Sequence, residues 1–256
     1  MGVFAGVEQT WATQTNRGRG HISRKGVVQN GLLLNLDAGV KSSYPGSGTT
    51  WYDLSDTQNH GILTNGASYS TFGRGSIEFD GSNDYVDLNK TYIGSGEIEV
   101  GEANGNYTLI AWIYVKSSQG TTTNSDSIIG STSTYGVGMQ VGTSGGKPRM
   151  NYGARGTSNF YSSTFEYNAW THVALSRIGG TSVRTYLNGN FDASTSTSNL
   201  EVASGQSYGE MRIGNSSGRI TGYFDGYISM VRVYNVGLSD TEIKRNYRAT
   251  RKRFGL

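Results

Sequence analysis

Phe79-Asp80-Gly81-Ser82-Asn83-Asp84-Tyr85-Val86 decides how the rest of this chain is read. An apolar strand end runs into a short loop of Asp, Gly, Ser and Asn, and an apolar strand follows. Those residue types supply the backbone angles of a tight turn, and their side chains bond back to nearby backbone N–H groups. Asp80, Asn83 and Asp84 also crowd oxygen atoms into one turn, which is the composition of a calcium site. The loop is therefore either a strand-joining turn or a cation site.

The same alternation of short apolar runs and Gly/Ser/Thr/Asn intervals continues on both sides. Residues 31–37, 76–79, 85–88, 107–115, 127–129, 135–141, 149–152, 170–177, 183–187, 211–213 and 227–234 have the length and pattern of strands. Leu187-Asn188-Gly189-Asn190-Phe191 carries the Asn-Gly signal of a tight hairpin. Composition agrees: Gly numbers 38, Pro only 2, and charged residues make up 16%, a profile of strands and turns rather than helices. These features predict an all-β chain, a two-sheet antiparallel β-sandwich of jelly-roll type with one short C-terminal helix. Ser239 followed by Glu242 has the spacing of a capping box, and Ile243 and Tyr247 share one helix face. The helix is expected to fray near Thr250. The pattern divides the chain into an N-terminal arm (1–28), one sandwich (29–250) and a basic tail (251–256).

Charge is distributed unevenly. The chain is +3 overall, residues 1–28 carry +3 and residues 244–256 carry +6, so the body between them carries −6. Two basic ends on an acidic body point to ends that meet an acidic partner surface. Trp11, Arg17, Arg19, Arg24 and Lys25 are the expected docking residues of the arm, with Trp11 as its aromatic anchor. Sequence-specific nucleic-acid binding is not expected from termini this short. The chain has no Cys, which excludes a disulfide framework, and no apolar run long enough for a membrane span. Residues 1–28 hold no apolar core of a signal peptide, so synthesis in a cytoplasm is expected.

Four stretches together resemble the laminin G-like domains of the concanavalin A-like lectin/glucanase superfamily. The first is Leu34-Asn35-Leu36-Asp37-Ala38-Gly39, continued by residues 44–55. The second is Phe79-Asp80-Gly81 with Tyr85-Val86. The third is Trp170-Thr171-His172-Val173-Ala174 with Tyr186-Leu187-Asn188-Gly189. The fourth runs from Gly226 to Asn235 and on to Glu242-Ile243. The opening at Leu34 combined with the basic Arg253-Phe254-Gly255-Leu256 end resembles virion proteins of tailed bacteriophages. That resemblance implies a capsid decoration protein on the particle, homo-oligomeric and bound to the major capsid protein or to tail proteins. A carbohydrate-binding tail or fibre module is the alternative. The resemblance also implies a ligand of glycan or protein type, sometimes with calcium.

The candidate chemistry is sparse. In related sandwiches an Asp often occupies the place of Ser229, so a charged calcium ligand is missing there, with Asp225 as a displaced substitute. Glu97 and Glu99 fall on one strand face as a glycosidase pair would, but Glu102 breaks the parity and Gly101 weakens the strand. No catalytic residue is assigned. His21, His60 and His172 form no metal-spaced pair. Tyr135, Tyr152, Tyr161, Tyr208 and Tyr223 lie in or near loops and are the candidate sugar-stacking rings.

Overall fold

The computed structural model describes residues 26–91, 106–117, 126–131, 138–153, 160–179, 182–196, 210–215 and 222–256. The strands are β1 (Leu32–Asp37), β2 (Thr50–Trp51), β3 (Gly61–Thr64), β4 (Ser68–Ser70), β5 (Ser76–Asp80), β6 (Tyr85–Thr91), β7 (Tyr107–Val115) and β8 (Asp126–Ser131). They continue as β9 (Gly138–Ser144), β10 (Lys147–Gly153), β11 (Phe160–Thr164), β12 (Trp170–Ile178), β13 (Ser182–Leu187), β14 (Asn190–Ser196), β15 (Glu210–Ile213) and β16 (Asp225–Tyr234). Helix α1 (Asp240–Thr250) follows, then a 3-10 turn over Arg251–Phe254.

Two eight-stranded antiparallel sheets face each other. Sheet A has the order β14-β13-β12-β7-β16-β5-β4, with β1 beside the second half of β16. Sheet B has the order β11-β10-β9-β8-β15-β6-β3-β2. Directly opposed residues of neighbouring strands point to one face, so register separates inside from outside. In sheet B the inward row reads Met139, Ile129, Ile213, Val86 and Leu63. It meets Leu109, Ala111, Ile113, Phe79 and Val173 of sheet A in one core.

The loop after Phe79 is not a hairpin. β5 belongs to sheet A and β6 to sheet B, so the loop carries the chain across the sandwich. Asp84 closes it by accepting the Asp80 N–H at 3.1 Å, and Asp80 accepts the Ser82 N–H at 2.8 Å. The Asn188-Gly189 turn is the expected hairpin, with φ of 50° and 74°, the left-handed pair that a type I′ turn requires. The opening motif is organised by Asp53, a buried carboxylate that accepts backbone N–H groups from Asn35, Ser55 and Asn59 at 2.8–2.9 Å.

Helix α1 starts with the full capping box, Ser239 and Glu242 each bonding the other's backbone N–H. Ser239→Ala is expected to cost about 1 kcal/mol, read as a lower denaturant midpoint at unchanged slope. Ile243 packs with Ile110, Ala174, Tyr186, Tyr234 and Leu238 on the outer face of sheet A. Val28, at the start of the described chain, donates its N–H to Asn246 of the helix.

The C-terminal end does not fray. Trp112, whose ring faces outward from sheet A, needs a cover, and the 3-10 turn supplies one. Phe254 stacks on Trp112 with centroids 4.1 Å apart and lies 4.8 Å from Trp170. Trp112 Nε1 donates to Thr250 at 2.8 Å. Arg253 pairs with the fully buried Asp37 and donates to the Gly73 and Gly75 carbonyls and to Ser229. A Cβ on Gly39 would lie 2.4 Å from the Arg253 guanidinium carbon. The opening Leu34–Gly39 motif and the Arg253-Phe254 end are therefore two halves of one contact.

Candidate functional site on the outer face of sheet B

Three surfaces could carry a ligand: the loop at residues 80–84 and the outer faces of the two sheets. In the loop Asp80, Ser82 and Asn83 are exposed, while one oxygen of Asp84 bonds the Asp80 N–H. Asp84 is buried, and burial raises its carboxyl above the ordinary value. Asp225 lies directly opposite Asp80 across the strands, and its neighbouring cation is Lys116 at 3.6 Å. Ser229 is buried, donates to the Gly75 carbonyl and receives Arg253. The position where a calcium ligand is common thus anchors the C-terminal turn. Among the described residues, no group of three or more His, Cys, Asp or Glu is placed to hold a metal.

The outer face of sheet A is largely occupied by α1 and the C-terminal turn. His172 is sealed there, its ring 5.3 Å from Trp112 and 5.5 Å from Tyr247, and neither ring nitrogen has a hydrogen-bond partner. His60 is structural as well, its Nδ1 accepting the Asp53 N–H at 3.0 Å.

The outer face of sheet B is different in character. One register row crosses four strands as Tyr161, Asn151, Gln140 and Ser127. At about 4.8 Å per strand the row spans about 14 Å, the length of a short oligosaccharide. The neighbouring row reads Gly153, Gly138, Gly130, Arg212 and Asp87. Gly153, Gly138 and Gly130, on three neighbouring strands, put no side chain into this row beside the amides. Arginines stack on tyrosines at both ends. The Arg149 guanidinium carbon sits 3.5 Å from the Tyr161 ring centroid, and that of Arg212 sits 4.2 Å from Tyr85. Arg212 is also held by Glu210 at 3.2 Å and Asp87 at 3.8 Å. Such stacking orients a guanidinium while leaving its in-plane donors available. Gln140, Asn151 and Ser127 form the buried floor, and Arg149, Tyr161 and Arg212 are half-exposed. Among the described residues, the Ser127 hydroxyl and the Nε of Arg149 and Arg212 have no hydrogen-bond partner.

The model of the concanavalin A-like lectin/glucanase superfamily matches residues 80–244. The chain belongs to that superfamily. Solved structures agree on the fold. The receptor-binding domain of botulinum neurotoxin C/D mosaic serotype superposes with a TM-score of 0.62 at 15% identity, over 86% of this chain and 52% of that one. Domain 4 of an extracellular arabinanase from Geobacillus stearothermophilus, solved with arabinotriose, gives 0.59 at 14%, over 86% of this chain and all of that domain. Trypanosoma rangeli sialidase gives 0.62 at 15%, over 87% of this chain and 33% of that one. The chain spans about half the length of the toxin binding domains it matches. At these identities the likeness is one of fold. No curated protein matches.

Set on this lectin-like sandwich, the sequence candidates separate. Tyr161 belongs to the polar face. Tyr152 does not: it is a core ring whose hydroxyl meets that of Tyr107, so it cannot stack on a ligand from outside. The two off-core positions that flank it, Asn151 and Gly153, face outward instead. Tyr223 is half-exposed just before β16. Tyr135, Tyr208, Trp11, Arg17, Arg19, Arg24, Lys25, Glu97, Glu99 and His21 lie outside the described residues. Sequence reasoning passed over Gln140, Asn151, Arg149 and Arg212, which look like ordinary strand polar residues. The signal was present in Gly138-Met139-Gln140-Val141-Gly142, where Met and Val face the core and everything between them faces out.

Proposed function

We propose that this chain is a non-enzymatic glycan-binding sandwich, and that the ligand lies along the outer face of sheet B. The observation that carries this reading is the polar row Tyr161–Asn151–Gln140–Ser127 beside a row of glycines, with donors at Ser127, Arg149 and Arg212 that no described residue accepts. Sugars offer hydroxyls in both hydrogen-bonding senses and apolar C–H faces, which amides, guanidinium groups and Tyr rings match. Half-exposed Arg149, Tyr161 and Arg212 make the contacts, and Asn151, Gln140 and Ser127 lie buried behind them. Asp87 and Glu210, beside the strip, face the same nitrogen of Arg212, an arrangement that supports a binding role rather than an acid–nucleophile pair. The arabinanase domain solved with arabinotriose makes arabino-oligosaccharides the first probes to use.

A glycan array is the test. Binding should be saturable and should fall about tenfold or more in Arg149→Ala and Asn151→Gly, as expected when one or two ligand hydrogen bonds are lost. Tyr223→Ala should bind as the wild type does. Equal binding by all four proteins would remove this face from consideration.

We further propose that the sandwich works on a tailed-phage particle, as a capsid decoration protein bound to the major capsid protein. The paired Asp37 and Arg253 motifs, which carry the resemblance to virion proteins, support this, as does the packing of Val28 and of the C-terminal turn on the sheet A side, opposite the polar strip. Copy number in purified particles by mass spectrometry tests it: hundreds of copies fit decoration, a few fit a tail position, and none would end the proposal.

A further inference from the structure

Helix α1 and the 3-10 turn after it bury one face and leave the other to five cations. Ile243 and Asn246 are buried and Tyr247 stacks on Trp112, which fixes the helix's rotation. Lys244, Arg248 and Lys252 then follow one another at successive turns on the outer side, flanked by Arg245 and Arg251. All are exposed except the half-buried Arg251. Among the described residues, no carboxylate lies within ion-pair distance of any of the five; the ion pairs of this region use Arg184 with Asp240 and Arg253 with Asp37. Like charges three and four residues apart destabilise a helix, and interleaved acids would relieve that strain. The chain instead keeps the repulsion. The same face is where the other basic end joins the fold: Gly26 sits against Ala249 of the helix, and Arg245 donates to the Gly26 carbonyl at 2.9 Å. The body of the chain is acidic, so the positive charge of the described chain is concentrated on this side.

We infer that the outer ridge of α1 and the following turn is a docking surface for an acidic protein surface. Two features favour a protein over a nucleic acid. The aromatic rings next to the ridge, Tyr247 and Phe254, are already stacked on Trp112 and offer no platform for bases. The ridge is also bounded at its N-terminal end by Asp240 and Glu242, which would repel a continuous phosphate backbone but can pair with basic residues at the rim of a protein partner. The ridge lies on sheet A, so a partner bound there leaves the polar face of sheet B free. This names the attachment face that the particle reading leaves open, and it stands or falls without particles.

The test uses the full chain and two labelled probes of equal charge number, poly-L-glutamate and a single-stranded oligonucleotide, followed by fluorescence anisotropy across a salt series. Poly-L-glutamate should bind at low salt, weaken as salt rises, and bind about tenfold or more weakly to the triple variant Lys244→Glu, Arg248→Glu, Lys252→Glu. The milder triple exchange of the same residues to Gln should weaken binding with no loss of thermal stability, because it removes repulsion. Glycan binding by the sheet B face should be unchanged in both variants, which separates this proposal from the glycan reading. No binding of poly-L-glutamate by the wild type, equal affinity in the variants, or tighter binding of the oligonucleotide would each overturn it.

Discussion

Arg253→Ala should lower stability by about 3 kcal/mol, because it removes the guanidinium paired with a carboxylate inside the protein. Asp37 has no solvent exposure, and the Arg253 side chain that faces it is 16% exposed. The Gly39 N–H also bonds Asp37 Oδ1, so the carboxylate keeps this neutral donor but loses the Arg253 charge. The same guanidinium satisfies the carbonyls of Gly73 and Gly75, both of which lose a donor. For a chain of this length the loss corresponds to about 6–10 °C in melting temperature. Asp37→Asn added to Arg253→Ala should recover part of the loss, since the buried group left behind is then neutral. A single Arg253→Ala variant within about 0.5 kcal/mol of the wild type would show that the C-terminal turn is only loosely applied.

Acid should weaken the fold through His172. Burial first, and the nearby Arg232 charge second, push this imidazole down to about 3. In the unfolded chain its value returns to about 6.5. Below pH 6.5 the unfolded chain therefore takes up a proton that the folded one refuses. Stability falls as pH drops from about 6.5 toward 3, at a slope approaching 1.4 kcal/mol per unit, or about 3 kcal/mol between pH 7 and pH 4. Carboxylates add their own slopes: Glu78, lowered by its bond to Lys116, loses stability on acidification, whereas the raised carboxyl of Asp84 acts in the opposite sense. The informative quantity is therefore the difference between the wild type and His172→Leu in urea denaturation from pH 7 to pH 4. The variant should be at least as stable at pH 7, since it removes two partnerless buried nitrogens, and its curve should be flatter by about 3 kcal/mol. Parallel curves would mean that His172 is protonated inside the fold.

Most of the sandwich was legible because its strands carry apolar residues at spacing two. The nine residues of β7 and the Asn-Gly turn between β13 and β14 need no tertiary information. Strands β2, β3 and β4 were not legible, being two to four residues long and too short to show a period. The turn at residues 80–84 was readable as a turn, yet its crossing between sheets depends on which strands pair, a property no local pattern contains. The C-terminal turn escaped because its charge suggested solvent, while Arg253 has a buried partner 216 residues away. The candidate site was the least legible part. Gln140, Asn151 and Ser127 are spread over three strands, and only register brings them into one row.

The central claim is that a glycan lies on the outer face of sheet B. Titrating arabinotriose into isotope-labelled protein and following the backbone amide resonances tests it most directly. The expected result is saturable shifts at Gln140, Arg149, Asn151, Tyr161 and Arg212, with the resonances of Gly81, Ser82 and the α1 ridge unmoved. Shifts confined to the loop around Asp80 and Asp84 would contradict the account and place the ligand at the edge of the sandwich instead.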